Sequence, residues 1–433
     1  MRNKLIVLLS LLIVSSIGVA GPKIENWQTK NGAKVFYVNA PELPIVDLRM
    51  VFDAGSARDA DKPGLASLTN SLLDEGTGEL SVDQIAEQFE GIGARFGASS
   101  LRDMAVTSLR SLNDKAVLDK ALDLFSNVVA KPNFPEKSFQ RNRKSMLVGL
   151  QVASQRPNSI ASKAFYKQVF AEHPYAIDGS GTEASLTAMT RQDVVDFHKR
   201  YYVAKNAVIA IVGAVSRAQA EQLAERLTSG LVAGEAAPTL AKVKALSAPV
   251  MKRVNHPSQQ THILVGQPGM HRGDPDYTTL YVGNHILGGS GLVSRLSDKV
   301  REQRGLAYSV YSYFSPMRED GPFTMGMQTK NSQADDALAL LKKVLKEYVD
   351  KGPTEDELKR SKQNITGGFA LRVDSNKKII EYVAMIGFYG LPLDYLDTFN
   401  AKVEAVTVEK IKDAFKRRVH PDKLVTIMVG GDK

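Results

Sequence analysis

The feature that most constrains the fold is a repeat within the chain. MTRQDVVDFHKRYYVAKNAVIAIVG, residues 189–213, matches VTVEKIKDAFKRRVHPDKLVTIMVG, residues 406–430, without a gap. Each copy starts at a threonine suited to capping a helix (Thr190 or Thr407), continues through a helix ending in Lys-Arg, and closes with an apolar strand and a glycine. TNSLLDEGT, residues 69–77, and GNHILGGSG, residues 283–291, correspond in the same order. So long a period predicts two copies of one domain rather than a solenoid.

The segment between the copies, residues 230–249, is rich in Ala, Gly and Pro and has little periodic pattern, so it is the natural linker. We therefore expect homologous domains at residues 21–229 and 250–433. Capping boxes predict helices after Ser81 and after Thr354. Strands and helices do not alternate strictly, which favours an α+β class in which each domain is a largely antiparallel sheet with helices packed mainly on one face. The clearest strands are expected at residues 34–37, 46–53, 262–266 and 322–328.

Residues 1–20 have the pattern of a secretory signal peptide: a basic start, a short apolar run and a small-residue end. This pattern predicts cleavage, export and a periplasmic or otherwise exported location. No later segment is apolar enough for a stable membrane insertion. Loss of Arg2 and Lys4 lowers the formal net charge from +9 to +7, and the remaining basic residues are interleaved with acidic ones. The dispersed charge argues against a nucleic-acid partner.

A search for catalytic motifs finds none. No two histidines form a helical pair with an intervening glutamate, no Gly-x-Ser-x-Gly elbow or phosphate loop occurs, and the chain has no cysteine. The histidines, which we interpret as structural or exposed, are His173, His198, His256, His262, His271, His285 and His420.

One stretch does concentrate polar chemistry. ILGGSGLVSRLSDKVREQRGLAYSVYSYF, residues 286–314, predicts a helix that stops at Gly305 and is followed by an alternating strand beginning at AYS. Arg295, Arg301 and Arg304 offer guanidinium groups near the phenol of Tyr308. These groups either tie the loop to the helix end or bind a carboxylate or a backbone carbonyl, and the pattern alone leaves both interpretations open.

Four segments together resemble the pitrilysin or insulinase family of zinc peptidases, which includes the mitochondrial processing peptidase. They are WQTKNGAKVFYV, VDLRMVFDAGSARD, HPYAIDGSGT, and ILGGSG followed by SRLSDKVREQRGLAYSVYS. The resemblance covers essentially the whole mature chain and implies the LuxS/metallopeptidase-like fold in each half.

In that family an inverted zinc motif, His-x-x-Glu-His, precedes a Gly-Thr pair, which here is Gly76-Thr77. The motif positions are held by Ser67, Asn70 and Ser71, and a further zinc-binding glutamate position falls among Leu147, Val148 and Gly149. These side chains neither suit zinc nor act as a general base at neutral pH. The resemblance thus implies no metal ligand and no catalytic residue on this chain alone.

By contrast, the resemblance assigns Arg301 and Tyr308 to substrate binding. It implies a non-catalytic subunit of a heterodimeric peptidase, whose partner is a homologous chain with an intact His-x-x-Glu-His motif, bound zinc and peptide substrates. Two alternatives stay open: an envelope scaffold or peptide-binding protein without peptidase function, and an enzyme that is active alone through another constellation.

Overall fold

The computed structural model describes residues 22–431, so the expected signal peptide lies outside the described residues. The chain forms two α+β halves, as expected from the sequence. The strands are Glu25–Gln28 (β1), Lys34–Asn39 (β2), Ile45–Phe52 (β3), Gly76–Thr77 (β4), Leu80–Ser81 (β5), Arg95–Ser100 (β6), Ala105–Leu112 (β7), Ala207–Gly213 (β8), Val250–Val254 (β9), Gln260–Met270 (β10), Val310–Phe314 (β11), Gly321–Lys330 (β12) and Val425–Val429 (β13).

Along the sequence, the helices mostly connect strands of the same half. They are Leu65–Ser71 (α1), Val82–Gly91 (α2), Lys115–Ala130 (α3), Glu136–Ser154 (α4), Pro157–Phe170 (α5), Glu183–Ala188 (α6), Arg191–Tyr201 (α7), Arg217–Thr228 (α8), Tyr277–Asn284 (α9), Ala334–Lys351 (α10), Glu355–Gly367 (α11), Asn376–Tyr389 (α12), Tyr395–Glu404 (α13) and Val408–Arg418 (α14). The predicted capping boxes before α2 and α11 are both present. No helix in the described part of the chain has the length and apolarity needed to cross a membrane.

Apart from β1, which has no counterpart in the second sheet, the two sheets share one topology. The first has the order β1-β2-β8-β3-β7-β6, and the second has the order β11-β12-β10-β13-β9. In the first sheet β3 pairs antiparallel with β7 and β8, and β2 lies parallel to β8. In the second, β10 pairs antiparallel with β12 and β13, and β9 lies parallel to β13. The repeated sequence segments are the equivalent units α7-β8 and α14-β13.

Each half lends one helix to the sheet of the other. Helix α12 packs on β2, β3 and β8, and helix α5 packs on β10 and β13. Glycine permits both approaches: a Cβ at Gly387 of α12 would lie 2.5 Å from the Phe36 ring, and one at Gly266 of β10 would lie 2.8 Å from Phe165 of α5. Because each borrowed helix covers an apolar sheet face, the cores of the two halves are interdependent.

A buried carboxylate also joins the halves. Asp103, only 3% exposed, accepts hydrogen bonds from the Tyr175 hydroxyl at 2.6 Å, the Tyr389 hydroxyl at 3.0 Å and the Arg318 backbone N–H at 2.8 Å. Tyr389 ends α12, and Arg318 lies between β11 and β12. The segment between Thr228 and Val250 forms neither helix nor strand. The polar cluster around Asp103 and the exchanged helices are therefore the regular contacts that join the two halves.

Candidate functional site

Helix α1 carries the positions at which relatives in the resembled family hold zinc. Its apolar side chains, Leu65, Leu68 and the following Leu72, are buried, as their spacing predicts. Gly64 is the N-cap residue of the helix, and its φ of 96° lies in the left-handed region that favours glycine. The buried carboxylate of Asp59 accepts hydrogen bonds from the Gly64 and Ala66 backbone N–H groups, both at 2.7 Å. These contacts satisfy orphan donors at the helix start and fix α1 against the first sheet.

The polar side chains of α1 do not converge on one point. Ser67 is half-buried beneath the backbone of Gly179, where a Cβ would lie 3.5 Å from the serine Oγ. Asn70 is 2% exposed, and its amide nitrogen lies 3.3 Å from the buried Tyr202 hydroxyl. Ser71 is exposed, and its Oγ donates to the Leu68 carbonyl at 3.0 Å. Asn70 and Ser71 are therefore satisfied locally, and Ser67 packs under the Gly179 backbone, so the three groups are not aimed at a shared ion.

The nearest carboxylates do not replace the missing ligands. Burial opposes ionisation of Glu75, but hydrogen bonds from Arg141, Asn142 and Ser138 outweigh it and lower the pKa of this carboxyl. Burial raises the pKa of Asp74. Glu75 is thus committed to tying the end of α1 to α4.

The position of the further glutamate lies on α4, and none of the three residues there, Leu147, Val148 and Gly149, carries a carboxylate. Val148 is 53% exposed there, Leu147 is half-buried and Gly149 has no side chain. Serine hydroxyls and an amide, without imidazole or carboxylate, do not fit the nitrogen, sulfur and carboxylate preferences of zinc. This side of the molecule therefore lacks a usable zinc donor set.

Only one group of three metal-capable side chains occurs within residues 22–431, and it lies in the second half. The ligand atoms of His271, Asp274 and Asp320 lie within 4.8 Å of one another. Asp274 already pairs with the Arg418 guanidinium and accepts the Asp276 backbone N–H at 2.8 Å. These contacts account for the cluster as an ion-pair network.

Arg301 and Tyr308, the predicted substrate-binding pair, lie together. Arg301 belongs to a π-helical turn, Ser297–Glu302, and Gly305 at φ 59° reverses the chain beyond it. The Arg301 guanidinium carbon lies 4.9 Å from the Tyr308 ring centroid, and Tyr308 is 83% exposed. Arg301 itself is half-buried, and its Nε lies 3.3 Å from a carboxylate oxygen of Glu302. The pair therefore presents an exposed phenol next to a partly exposed guanidinium.

The two other arginines of this stretch differ from Arg301. Arg295 binds both carboxylate oxygens of Glu357, with its Nε at 2.9 Å, and covers the Tyr348 ring at 4.8 Å. Arg295 is thus structural, which was one of the two interpretations left open. Arg304 is exposed and forms no salt bridge in the described part of the chain.

Two details of this region differ from the sequence-based prediction. The strand expected from AYS onward begins only at Val310, so Tyr308 lies in the preceding loop, because pairing with β12 starts at Val310. Sequence reasoning also missed Asp59 and the Asn70–Tyr202 contact. An aspartate shortly before an apolar helix is a usable signal for the first, whereas no local signal marks the second.

Comparison with known proteins supports the structural picture. Residues 34–183 match the family model described as insulinase (peptidase family M16), and residues 188–365 match the model described as peptidase M16 inactive domain. A crystal structure of a peptidase M16 inactive domain from Pseudomonas fluorescens has 40% sequence identity and a TM-score of 0.92, covering 95% of this chain and 98% of that one. The chain belongs to the peptidase M16 family. Its α+β fold of two homologous sheets is the fold of these relatives.

Relatives of this M16 chain carry differing descriptions. A "Non-peptidase homolog YmxG" of Helicobacter pylori is 27% identical over 98% of both chains. An "Uncharacterized zinc protease" of Rickettsia bellii is 26% identical over 85% of this chain and 89% of the relative. A protease structure from Helicobacter pylori, at 20% identity and a TM-score of 0.85, shares the fold. Together with the unsuitable donor set on α1 and α4, the inactive-domain and non-peptidase matches identify a non-catalytic member of the family.

Proposed function

We propose that this chain is the substrate-binding subunit of an exported heterodimeric M16 peptidase. A homologous partner with an intact His-x-x-Glu-His motif would carry the zinc, and this chain would supply Arg301 and Tyr308 to the composite active site. The observation that carries the proposal is an asymmetry. The Tyr308 phenol is exposed beside the Arg301 guanidinium, which among the described residues pairs only with its chain neighbour Glu302. By contrast, Asn70 and Ser71 at the zinc-motif positions are committed to local hydrogen bonds.

The chemistry of the pair suits peptide binding. A guanidinium and a phenol both donate hydrogen bonds, so they stabilise a peptide carbonyl and still more the oxyanion that develops from it. Strand β11 begins two residues after Tyr308 and is an edge strand of the second sheet. An edge strand offers backbone groups to which an extended peptide can add. The alternative of an envelope scaffold gives the pair no task, whereas a peptide-binding protein without peptidase function would also use it, and the reconstitution below separates that alternative from the proposal.

The test is reconstitution with a homologous M16 chain that has the intact motif. We expect the isolated chain to bind no stoichiometric zinc and to hydrolyse no peptide, and the pair of chains to be active. Arg301→Ala and Tyr308→Phe should each lower kcat/KM, by about 100-fold if the group contacts the oxyanion. Tyr308→Phe keeps the ring over Arg301 and removes only the hydroxyl. Arg304→Ala is the matched control and should leave activity unchanged.

Two results would contradict the proposal. Full activity of the double variant Arg301→Ala/Tyr308→Phe would exclude the assigned role of the pair. Stoichiometric zinc or peptide hydrolysis in the isolated chain would exclude the non-catalytic assignment. Failure of any homologous partner to form an active complex would favour the scaffold alternative.

A further inference from the structure

A large groove lies between the two halves, and neither Arg301 nor Tyr308 lines it. It has a volume of about 950 Å³, near the upper end of the range for ligand sites. Its walls are one face of α4, one face of α5, the loop leading into α6, and the outer edge strand β9. The groove therefore combines surfaces from both halves, which the exchanged helix α5 brings together.

Lysine dominates the charge of this groove. Lys144 of α4, Lys163 and Lys167 of α5, and Lys252 of β9 all line it and are all exposed. Lys163 and Lys167 are four residues apart and so lie on the same helical face. None of the four pairs with a carboxylate in the described part of the chain; the lysines that do are Lys62, Lys115, Lys205, Lys242, Lys299, Lys343, Lys346 and Lys378.

The opposing charge in the groove is smaller and partly engaged. Asp178 and Glu183 are its carboxylates, and Asp178 accepts the Ser180 backbone N–H at 2.9 Å. Four ammonium groups against two carboxylates leave a positive surplus. A concave surface lined by charges of mostly one sign attracts ligands of the opposite sign, so the groove favours an acidic ligand.

The groove is also apolar between its charges. Leu147 and Val148 of α4 face it together with Ile160 of α5, and Val148 is 53% exposed. A small inorganic anion would leave this apolar surface in water, whereas a peptide with alternating acidic and apolar side chains would cover both kinds of surface. We propose that this groove binds an acidic polypeptide segment with interspersed apolar residues. This inference rests on the proposed function, because that function makes the ligand a peptide. The groove then specifies the class of peptide as acidic with interspersed apolar residues.

Direct binding to the isolated full chain tests the groove without any peptidase activity. The probe is a fluorescein-labelled peptide of alternating glutamate and leucine, followed by fluorescence anisotropy at low and high sodium chloride. We expect saturable binding that weakens with salt, because added salt shortens the range of charge interactions, which is about 10 Å at 0.1 M. The same peptide with lysine in place of glutamate should not bind.

Charge reversal with a matched control decides whether the groove is the site. The double variant Lys163→Glu/Lys167→Glu should weaken binding by about tenfold or more, since it removes two attractions and adds two repulsions. Lys412→Glu/Lys416→Glu on α14 changes the net charge equally, at exposed lysines with the same spacing outside the groove, and should have little effect. Thermal unfolding of both variants confirms that they fold.

Three outcomes would overturn the inference. Equal weakening in both double variants would mean that binding follows net charge and not the groove. Equal binding of an all-glutamate peptide or of inorganic polyphosphate would mean that the apolar surface is not used. Unchanged affinity in Lys163→Glu/Lys167→Glu would place the peptide elsewhere, and this result would leave the role of Arg301 and Tyr308 intact if their variants still lowered activity with the partner.

Discussion

The buried carboxylate at the start of α1 predicts an unusual pH dependence of stability. Burial raises the pKa of Asp59 from 3.8 to about 7, although hydrogen bonds from Ala66 and Gly64 act in the opposite direction. The unfolded chain therefore loses this proton near pH 4, whereas the folded chain keeps it until about pH 7. The stabilisation is complete below pH 4 and is lost as the pH rises to about 7. At about 1.4 kcal/mol per pKa unit, the loss amounts to about 4 kcal/mol.

A buried histidine acts in the opposite sense. Burial lowers the pKa of His198 from 6.5 to about 4, against the effect of its hydrogen bond to the Val129 carbonyl at 2.9 Å. The unfolded chain takes up this proton near pH 6.5 and the folded chain only near pH 4. Stability is therefore lost as the pH falls through this range, by about 3 kcal/mol. The two titrations nearly cancel, so the wild-type free energy of unfolding should change little between pH 4 and 7 from these groups.

Asp59→Asn separates the two effects. We expect the free energy of unfolding of the variant, relative to wild type, to rise by about 4 kcal/mol between pH 4 and 7, because only the falling contribution is removed. Any hydrogen bond that the substitution removes changes this difference by the same amount at every pH, so the change of the difference with pH is unaffected. Urea unfolding followed by circular dichroism at a series of pH values gives the difference directly. Asp61→Asn, at an exposed neighbouring position, is the control for the loss of a carboxylate at the surface. A constant difference for Asp59→Asn would refute the reasoning.

Two further predictions concern the contacts between the halves. Asp103→Ala leaves the Tyr175 and Tyr389 hydroxyls without their acceptor and should lower the free energy of unfolding by about 3 kcal/mol or more in urea titrations; a loss below about 1 kcal/mol would show that water replaces the carboxylate. Gly387→Ala drives a methyl group into the Phe36 ring and should cost about 1 to 3 kcal/mol. Gly367→Ala, whose added methyl group enters open space at the end of another helix, should be neutral or slightly stabilising in the same urea titrations, and an equal loss in both variants would contradict the packing argument.

The architecture of each half could be predicted from the sequence because it is written in local patterns. The repeated helix-strand segments and the capping residues each predicted an element that the structure contains. The exchange of α5 and α12 could not be predicted this way. Periodicity shows which face of a helix is apolar, but it does not show which of two similar sheets that face will cover.

The candidate site was predictable to a similar degree. The spacing of Arg301 and Tyr308 at a helix-to-strand corner predicted their proximity, whereas the exposure of Tyr308 depends on where pairing with β12 begins. From the sequence alone, the groove lysines have the pattern of ordinary solvated charges, since Lys144, Lys163 and Lys252 are far apart in the chain. Only the tertiary fold brings them to one surface.

The exchanged helices also set the order in which this chain can become stable. The last strand of the first sheet, β8, ends at Gly213, but α12, which covers one face of that sheet, begins at Asn376. A chain made from its amino terminus thus holds a sheet with one uncovered apolar face until most of the second half has been synthesised. During that interval Phe36, Val51 and Val208 lack their apolar cover. The two halves must therefore mature together, and truncation within the second half should leave the first one prone to aggregation.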